Sequence, residues 1–180
     1  IEEERAVRSY LSHHRESVSE QMLAPDSPYS ELLAPYFRPE SSDLQSWMES
    51  PYEQNKKYPE QKIYGTSAGI HVRSKSESMI DYLLHNYKIP FRYESELELG
   101  QVTVYPDFTI RHPKTGKLFL WEHLGMVDES AYRRNTLSKL QLYMEHGWIP
   151  SVNLILTFET KEYPLDMAYV EGLLKEYFVK

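Results

Sequence analysis

Residues 102–124 read VTVYPDFTIRHPKTGKLFLWEHL, and the fold follows from how that stretch is parsed. Alternating β-branched and aromatic residues over 102–110 predict one strand, and residues 117–123 predict a second. Between them, His112-Pro113-Lys114-Thr115-Gly116-Lys117 supplies the proline and glycine that close a hairpin. A hairpin symmetric about Lys114 and Thr115 sets Phe108 opposite Trp121 and Ile110 opposite Phe119, which makes one face apolar. The same register puts Asp107 opposite Glu122 on the reverse face, with Cβ atoms roughly 4.5–5.5 Å apart. Two carboxylates at that separation repel unless a proton or a cation lies between them. A hard divalent ion such as Mg²⁺ or Mn²⁺ resolves the repulsion, because it needs only one or two carboxylates besides water and phosphate. Pro106 has no N–H for the ladder and is expected to kink or edge the strand just before Asp107. The plainer alternative is a solvated strand face that happens to carry two acids.

Upstream, residues 74–87 predict a helix, with Met79, Ile80, Leu83, Leu84 and Tyr87 along one apolar stripe. Its start, Ser74-x-x-Glu77, is a capping box, in which both side chains satisfy helix-end amides. Glu77 is also a third candidate acid, since the first turn of a helix packed on the sheet can aim a carboxylate at the strand acids. The two roles compete for one side chain. Downstream, Asp128 is expected to cap a helix running to about His146, which Gly147 ends. Tyr132, Thr136, Lys139 and Tyr143 fall on one face of it, too polar for a core seam. Turned toward the acids, Lys139 is placed to stabilise a phosphoryl transition state, and the tyrosines to hold phosphates or stack on bases. Residues 152–158 predict a buried strand, and Asp166 caps a last helix reaching about Phe178. Helix, strand, strand, helix, strand, helix is the order of an α/β sandwich with a central mixed sheet flanked by helices.

Residues 1–62 read differently from residues 63–180. Residues 1–23 are charged and helix-prone, and prolines at 25, 28, 35, 39, 51 and 59 then forbid long helices and central strands. This first part is expected to be a helical, Pro-rich N-terminal annex to the sheet domain. Lys+Arg 20 against Asp+Glu 27 gives a net charge of −7, which excludes a uniformly basic coat for nucleic acid. Hydrophobic residues at 41% suffice for a core. The absence of cysteine removes thiol nucleophiles and zinc–thiolate sites, and is compatible with a reducing, cytoplasmic setting. No apolar run is long enough to span a bilayer, so no membrane partner is expected. The chain starts at Ile1, which reads as part of a larger protein or complex.

Basic residues mark the expected partner. Over 50–75, Lys56, Lys57, Lys62, Arg73 and Lys75 stand against Glu53 and Glu60, and Tyr52, Tyr58 and Tyr64 interleave as stacking candidates. Arg133, Arg134 and Lys139 add charge on the helix beside the acids, and Arg111, Lys114 and Lys117 add it at the hairpin. His71 stands just before the first core helix, while His13-His14 lies in the annex. No histidine spacing makes a zinc site.

Taken together, Glu77, Tyr105-Pro106-Asp107-Phe108 and Trp121-Glu122-His123-Leu124 resemble the PD-(D/E)XK nuclease superfamily over roughly residues 70–160. Ser-Lys-Ser-Glu and Trp-Glu-His-Leu-Gly look like phage and bacterial members of it. The resemblance implies a restriction-endonuclease-like α-β-β-α-β core that hydrolyses phosphodiester bonds, in DNA more than in RNA, by metal-activated attack of water. It implies metal ligation by Asp107, Glu122, the carbonyl of His123 and, as an assisting acid, Glu77. Leu124 stands where the motif lysine belongs. Lys139-x-x-x-Tyr143 resembles the Gln-x-x-x-Tyr helix motif of RecB-like exonucleases and offers a relocated lysine; Lys75 is a second stand-in. Lys75, Tyr132, Arg133 and Tyr143 are the expected nucleic-acid contacts. Leu124 equally supports a nuclease-like fold that only binds nucleic acid or protein, and the Tyr- and Pro-rich annex supports a structural assembly domain.

Overall fold

Antiparallel pairing of residues 108–111 with 118–121 is the frame on which the rest is hung. A computed structural model describes residues 42–66, 69–125 and 130–179, without the side chains of residues 42 and 130–133. The helix expected over 1–23, the prolines at 25–39, His13-His14 and the Asp128 cap lie outside the described residues.

In chain order the elements are α1 (Ser42–Glu49), β1 (Tyr64–Gly65), β2 (His71–Val72), α2 (Lys75–Asn86), β3 (Phe91–Tyr93) and β4 (Leu97–Leu99). Then follow β5 (Val102–Val104), β6 (Phe108–Arg111), β7 (Leu118–Leu124), α3 (Ser130–Glu145), β8 (Leu154–Phe158) and α4 (Met167–Leu174). A π-helical turn, Lys175–Val179, extends α4. The central sheet has the order β3-β6-β7-β8; β7 and β8 run parallel and the other pairs antiparallel. The chain is therefore mixed α/β, with a mixed central sheet and helices packed on it.

The hairpin register is the one the apolar pattern demands: Phe108 faces Trp121 and Ile110 faces Phe119. On that side α2 and α4 supply Ile80, Leu83, Leu84, Val170 and Leu174 to a core with Phe91, Tyr93, Phe108, Ile110, Trp121 and Ile155. On the other side α3 brings Tyr143 against Leu99, Leu120 and Leu154. Alternation along β6 and β7 assigns each side chain to one layer or the other.

Several expected boundaries shift, each for a physical reason. The single strand expected over 102–110 is two. β5 pairs with β4 in a separate ribbon, the chain leaves the ladder at Pro106, which has no N–H, and β6 resumes at Phe108. Strand β3 has no counterpart in the sequence reading. It is three residues long, begins after Pro90 and stops at Glu94, whose φ of 44° ends extended structure. Its anchor is long-range, since Arg111 N donates to Pro90 O (3.0 Å) and Glu94 N to Asp107 O (3.0 Å). Strand β8 starts at Leu154 because the preceding residues turn, with Ser151 at φ 65° and Val152 N bonded to Ile149 O (3.0 Å). Helix α3 stops where expected, because Gly147 takes φ 83°.

Residues 42–62 belong with the sheet rather than with an annex, and the compact unit begins at Ser42. Leu44 is buried, Gln54 bridges to Ser95, and Arg92 donates to the Trp47 carbonyl. These tertiary contacts override the proline punctuation, which limits helix length but not docking.

Two expectations test this fold. Phe108→Ala empties a fully buried site between Tyr93 and Phe91 and should cost about 3–5 kcal/mol in urea unfolding. Ile63→Ala, at a position 67% exposed, should cost little by the same measurement. At the hairpin, His112 Nδ1 accepts from Lys114 N (3.0 Å) and Thr115 N (3.3 Å) while its ring packs on Phe119 and Phe178. Burial lowers its pKa from 6.5, as do the nearby Lys114 and Lys117 charges. A base whose folded pKa is depressed leaves stability intact above its unfolded value and loses it as the pH falls through that value. Unfolding midpoints should therefore drop below about pH 6.5, and His112→Asn, which keeps an acceptor, should flatten that slope.

Candidate active site

Glu122 is an acid in the interior: its side chain is only 4% exposed, on the α3 side of β7. Burying a carboxylate there is costly unless it is paired and hydrogen-bonded, so its partners carry the explanation. Lys139 Nζ lies 2.7 Å from Oε1 and 2.9 Å from Oε2, and Tyr143 OH donates to Oε1 at 2.6 Å. Lys139 also donates to the Tyr105 carbonyl (3.3 Å), in the turn that carries Pro106 and Asp107. The spacing of Lys139 and Tyr143, one turn apart on α3, lets both reach a single carboxylate. Burial, and then the Glu122 charge, push the Tyr143 phenol far up, so it stays protonated and donates.

Asp107 immediately precedes β6, close enough to Glu122 for the two charges to repel. Its Oδ2 accepts from His123 N at 2.7 Å. Burial raises its carboxyl well above the ordinary carboxylate range, with Glu122 and then Glu77 adding repulsion and Lys139 opposing it. Among the described residues no cation is bonded to Asp107. An open cleft of about 270 Å³ lies beside it, lined by Asp107, Glu122, His123, Leu124, Thr136 and Lys139, with Asn135 at the side.

Glu77 is held on the α2 side of the sheet. Ser74 Oγ accepts from Glu77 N (3.1 Å), so the cap forms, while the Glu77 carboxylate accepts from Ser74 Oγ (2.8 Å), Arg73 N (3.1 Å) and Tyr93 OH (2.7 Å). Glu77 is not among the residues lining the cleft, though its charge is felt by Asp107. Among the described residues, no three His, Asp or Glu side chains converge closely enough to hold a metal by themselves.

The remaining candidates separate. His123 sends its ring away from the cleft, as strand alternation requires. Nδ1 lies 3.1 Å from Thr157 Oγ1, and Nε2 lies 3.2 Å from Glu159 Oε1, near enough for an ion pair but off-line for a hydrogen bond. Tyr143 is fully buried, so it orients Glu122 from within and offers no surface for a base. Lys75 is exposed at the start of α2, and it is Lys139 that bonds Glu122. His71 is exposed on β2. The side chains of Tyr132 and Arg133 lie outside the described residues. In the basic segment, Lys56 pairs with Glu53, and Lys62 and Arg73 both pair with Glu94, so much of its excess charge is spent inside the protein. Tyr52 is turned inward as well, its ring under Arg92 and its hydroxyl on Tyr93 O.

Glu159 was not visible as a site residue in the sequence. It accepts from Ser76 Oγ (2.6 Å) in the first turn of α2 and from Leu165 N (3.2 Å), faces His123, and donates its own N–H to Leu124 O (3.1 Å). One carboxylate thus ties the turn carrying Glu77 to the segment carrying Glu122. The available signal was its place just past the C-terminal end of a strand parallel to its neighbour, where α/β folds gather functional groups.

No family model matches the chain, and no solved structure matches it. The chain is similar to the uncharacterized protein MJ1519 of Methanocaldococcus jannaschii, 33% identical over 92 residues, or 51% of this chain and 8% of that protein.

The clamp on Glu122 makes a direct expectation. Lys139→Met leaves a buried carboxylate with, among the described residues, the phenol alone and should cost about 3–5 kcal/mol of stability. Adding Glu122→Gln removes the stranded charge and should recover most of that loss, read as a double-mutant cycle in urea.

Proposed function

We propose that the chain is a metal-dependent nuclease domain of restriction-endonuclease-like, PD-(D/E)XK type, hydrolysing phosphodiester bonds in DNA in preference to RNA. One observation carries this reading: a lysine from α3 meets Glu122 at 2.7 Å beside Asp107, at an open cleft, although the strand position for a motif lysine holds Leu124. The lysine has been moved from strand to helix while the charge arrangement is kept.

The donor set suits a hard divalent cation of the Mg²⁺ or Mn²⁺ kind. Two carboxylates lining one cleft, one of them without a bonded cation among the described residues, match an ion that takes one or two carboxylates and completes its shell with water and substrate phosphate. Asp107 and Glu122 would hold it, with the main chain at His123 alongside. When bound, such an ion polarises a phosphoryl oxygen and makes water a better nucleophile. Around it the chain's own groups divide the work. Tyr143 keeps one Glu122 oxygen in place, the His123 N–H orients Asp107, and Glu159 fixes the β7 end that both depend on. Lys139, with its side chain 33% exposed, can turn from Glu122 toward an incoming phosphate and offset the charge that grows there.

A second reading draws on a specific feature. Both Glu122 oxygens are already bonded by Lys139 and Tyr143, which is how a nuclease-like fold that has given up its metal would be stabilised. Under it the domain binds nucleic acid or a protein without cutting. Titration calorimetry separates the two: the nuclease reading requires heat of Mg²⁺ or Mn²⁺ binding that Asp107→Asn removes.

The decisive assay is cleavage of single- and double-stranded DNA and RNA with Mg²⁺ and Mn²⁺. Wild-type chain should cut, and Asp107→Asn and Glu122→Gln should each fall to background with unchanged circular dichroism. Cleavage retained in both variants overturns the proposal.

A further inference from the structure

Asp107, Thr109 and Arg111 share one face of the sheet by strand alternation, which sets Arg111 roughly 13–14 Å beyond Asp107 along β6. On β3, Arg92 pairs with Thr109 and so stands diagonally beside Arg111. Trp47 of α1 serves both: the Arg92 guanidinium lies 4.6 Å from its ring centroid and that of Arg111 5.0 Å. Arg92 is further stacked on Tyr52 at 4.7 Å.

The two arginines differ in what they bond. Arg92 is engaged from within, donating to Trp47 O (2.5 Å from Nη2) and to Ser50 Oγ (2.7 Å). That contact explains it as the bolt holding α1 to the sheet. Arg111 has no such account. Among the described residues its buried Nε has no acceptor, and its guanidinium lies on the Trp47 indole. Neither arginine is ion-paired to a carboxylate among the described residues, whereas Lys62, Arg73 and Lys139 each are. Two adjacent cations without a counter-ion are unusual in a chain of net charge −7. Burial lowers the Arg92 pKa, and the Arg111 charge lowers it further, a strain that a bound anion would relieve. A guanidinium lying on an aromatic face also keeps its N–H edge free, as a planar fork matched to two oxygens of a phosphate.

We propose that Arg111, seated on Trp47 with Arg92 behind it, is an anion subsite that takes a phosphate group, supplied by the backbone of a nucleic acid reaching the cleft. The backbone as source rests on the nuclease reading; the phosphate chemistry does not. Nucleic acid bound there is held away from the reacting centre, so the subsite contributes grip and register rather than chemistry.

The test uses the chain in EDTA, where metal-dependent cutting cannot interfere. Binding of labelled single- and double-stranded DNA oligonucleotides is followed against salt, and Trp47 emission is followed against inorganic phosphate, with Trp47→Phe identifying its share of the signal. Arg111→Gln should weaken oligonucleotide binding and lower the slope of log K against log salt by about 0.7–0.9, the loss of one phosphate contact. Arg111→Lys, which keeps the charge but not the fork, should retain the slope with weaker binding, and it guards against a folding artefact in the first variant. Phosphate should perturb Trp47 in wild type and not in Arg111→Gln. If phosphate does so while oligonucleotide binding ignores Arg111, the subsite stands and its source is free phosphate. Equal affinity and slope in wild type and Arg111→Gln, with Trp47 silent to phosphate, overturns it. The nuclease reading fails on its own terms, by absent cleavage with Mg²⁺ or Mn²⁺, whatever Arg111 does.

Discussion

The pairing of Phe108 with Trp121 is the constraint on which the molecule depends. Both rings are fully buried, and burying an aromatic side chain of that size is worth about 1.5–3 kcal/mol or more. A slip of one residue would exchange the two faces of β6 and β7, sending the aromatics toward α3 and the acids into the apolar layer under α2. Hydrophobic burial on one face therefore dictates where charge falls on the other. Glu122 falls on the α3 side because Trp121 beside it must be dry.

Having concentrated acids inside, the fold compensates them unequally. Glu122 has a lysine and a phenol, Glu94 has Lys62 and Arg73, and Glu77 has the Tyr93 hydroxyl and two further donors. Asp107, which lines the open cleft together with Glu122, has the His123 N–H. A buried charge left short of partners is costly to folding and is tolerated where it serves a ligand. That imbalance is what the proposed cation site draws on, and Arg111 is its counterpart of opposite sign. Glu94 shows the strain involved: it is buried, twice ion-paired, and held at φ 44° next to the Asp107 turn.

Much of the site was legible because it is local. Counting from the hairpin centre brought Asp107 near Glu122, and both line one cleft; helical spacing placed Lys139 and Tyr143 together, and both bond Glu122. What was not legible depends on contacts distant in sequence. Strand β3 has three residues and a proline before it, and exists only because β6 offers it a partner. Residues 42–62 looked like an annex, yet Trp47 and Gln54 dock on residues some forty positions away. The basic excess over 50–75 was a true count, but Glu94, outside that segment, pairs with two of its cations.

Residue pattern alone determined the hairpin register, the class of sheet and the caps of α2 and α4, and brought Asp107 near Glu122. Each rests on periodicity or on a turn, which short-range sterics and burial enforce. Only tertiary structure decided which groups each acid meets. It put Glu77 with Tyr93, turned Tyr143 inward as an anchor, made Glu159 the tie between α2 and β7, and left Arg111 on Trp47 with no acid among the described residues. Those outcomes depend on which distant groups are desolvated together, and a carboxylate's role is set by its neighbours rather than by its place in the chain.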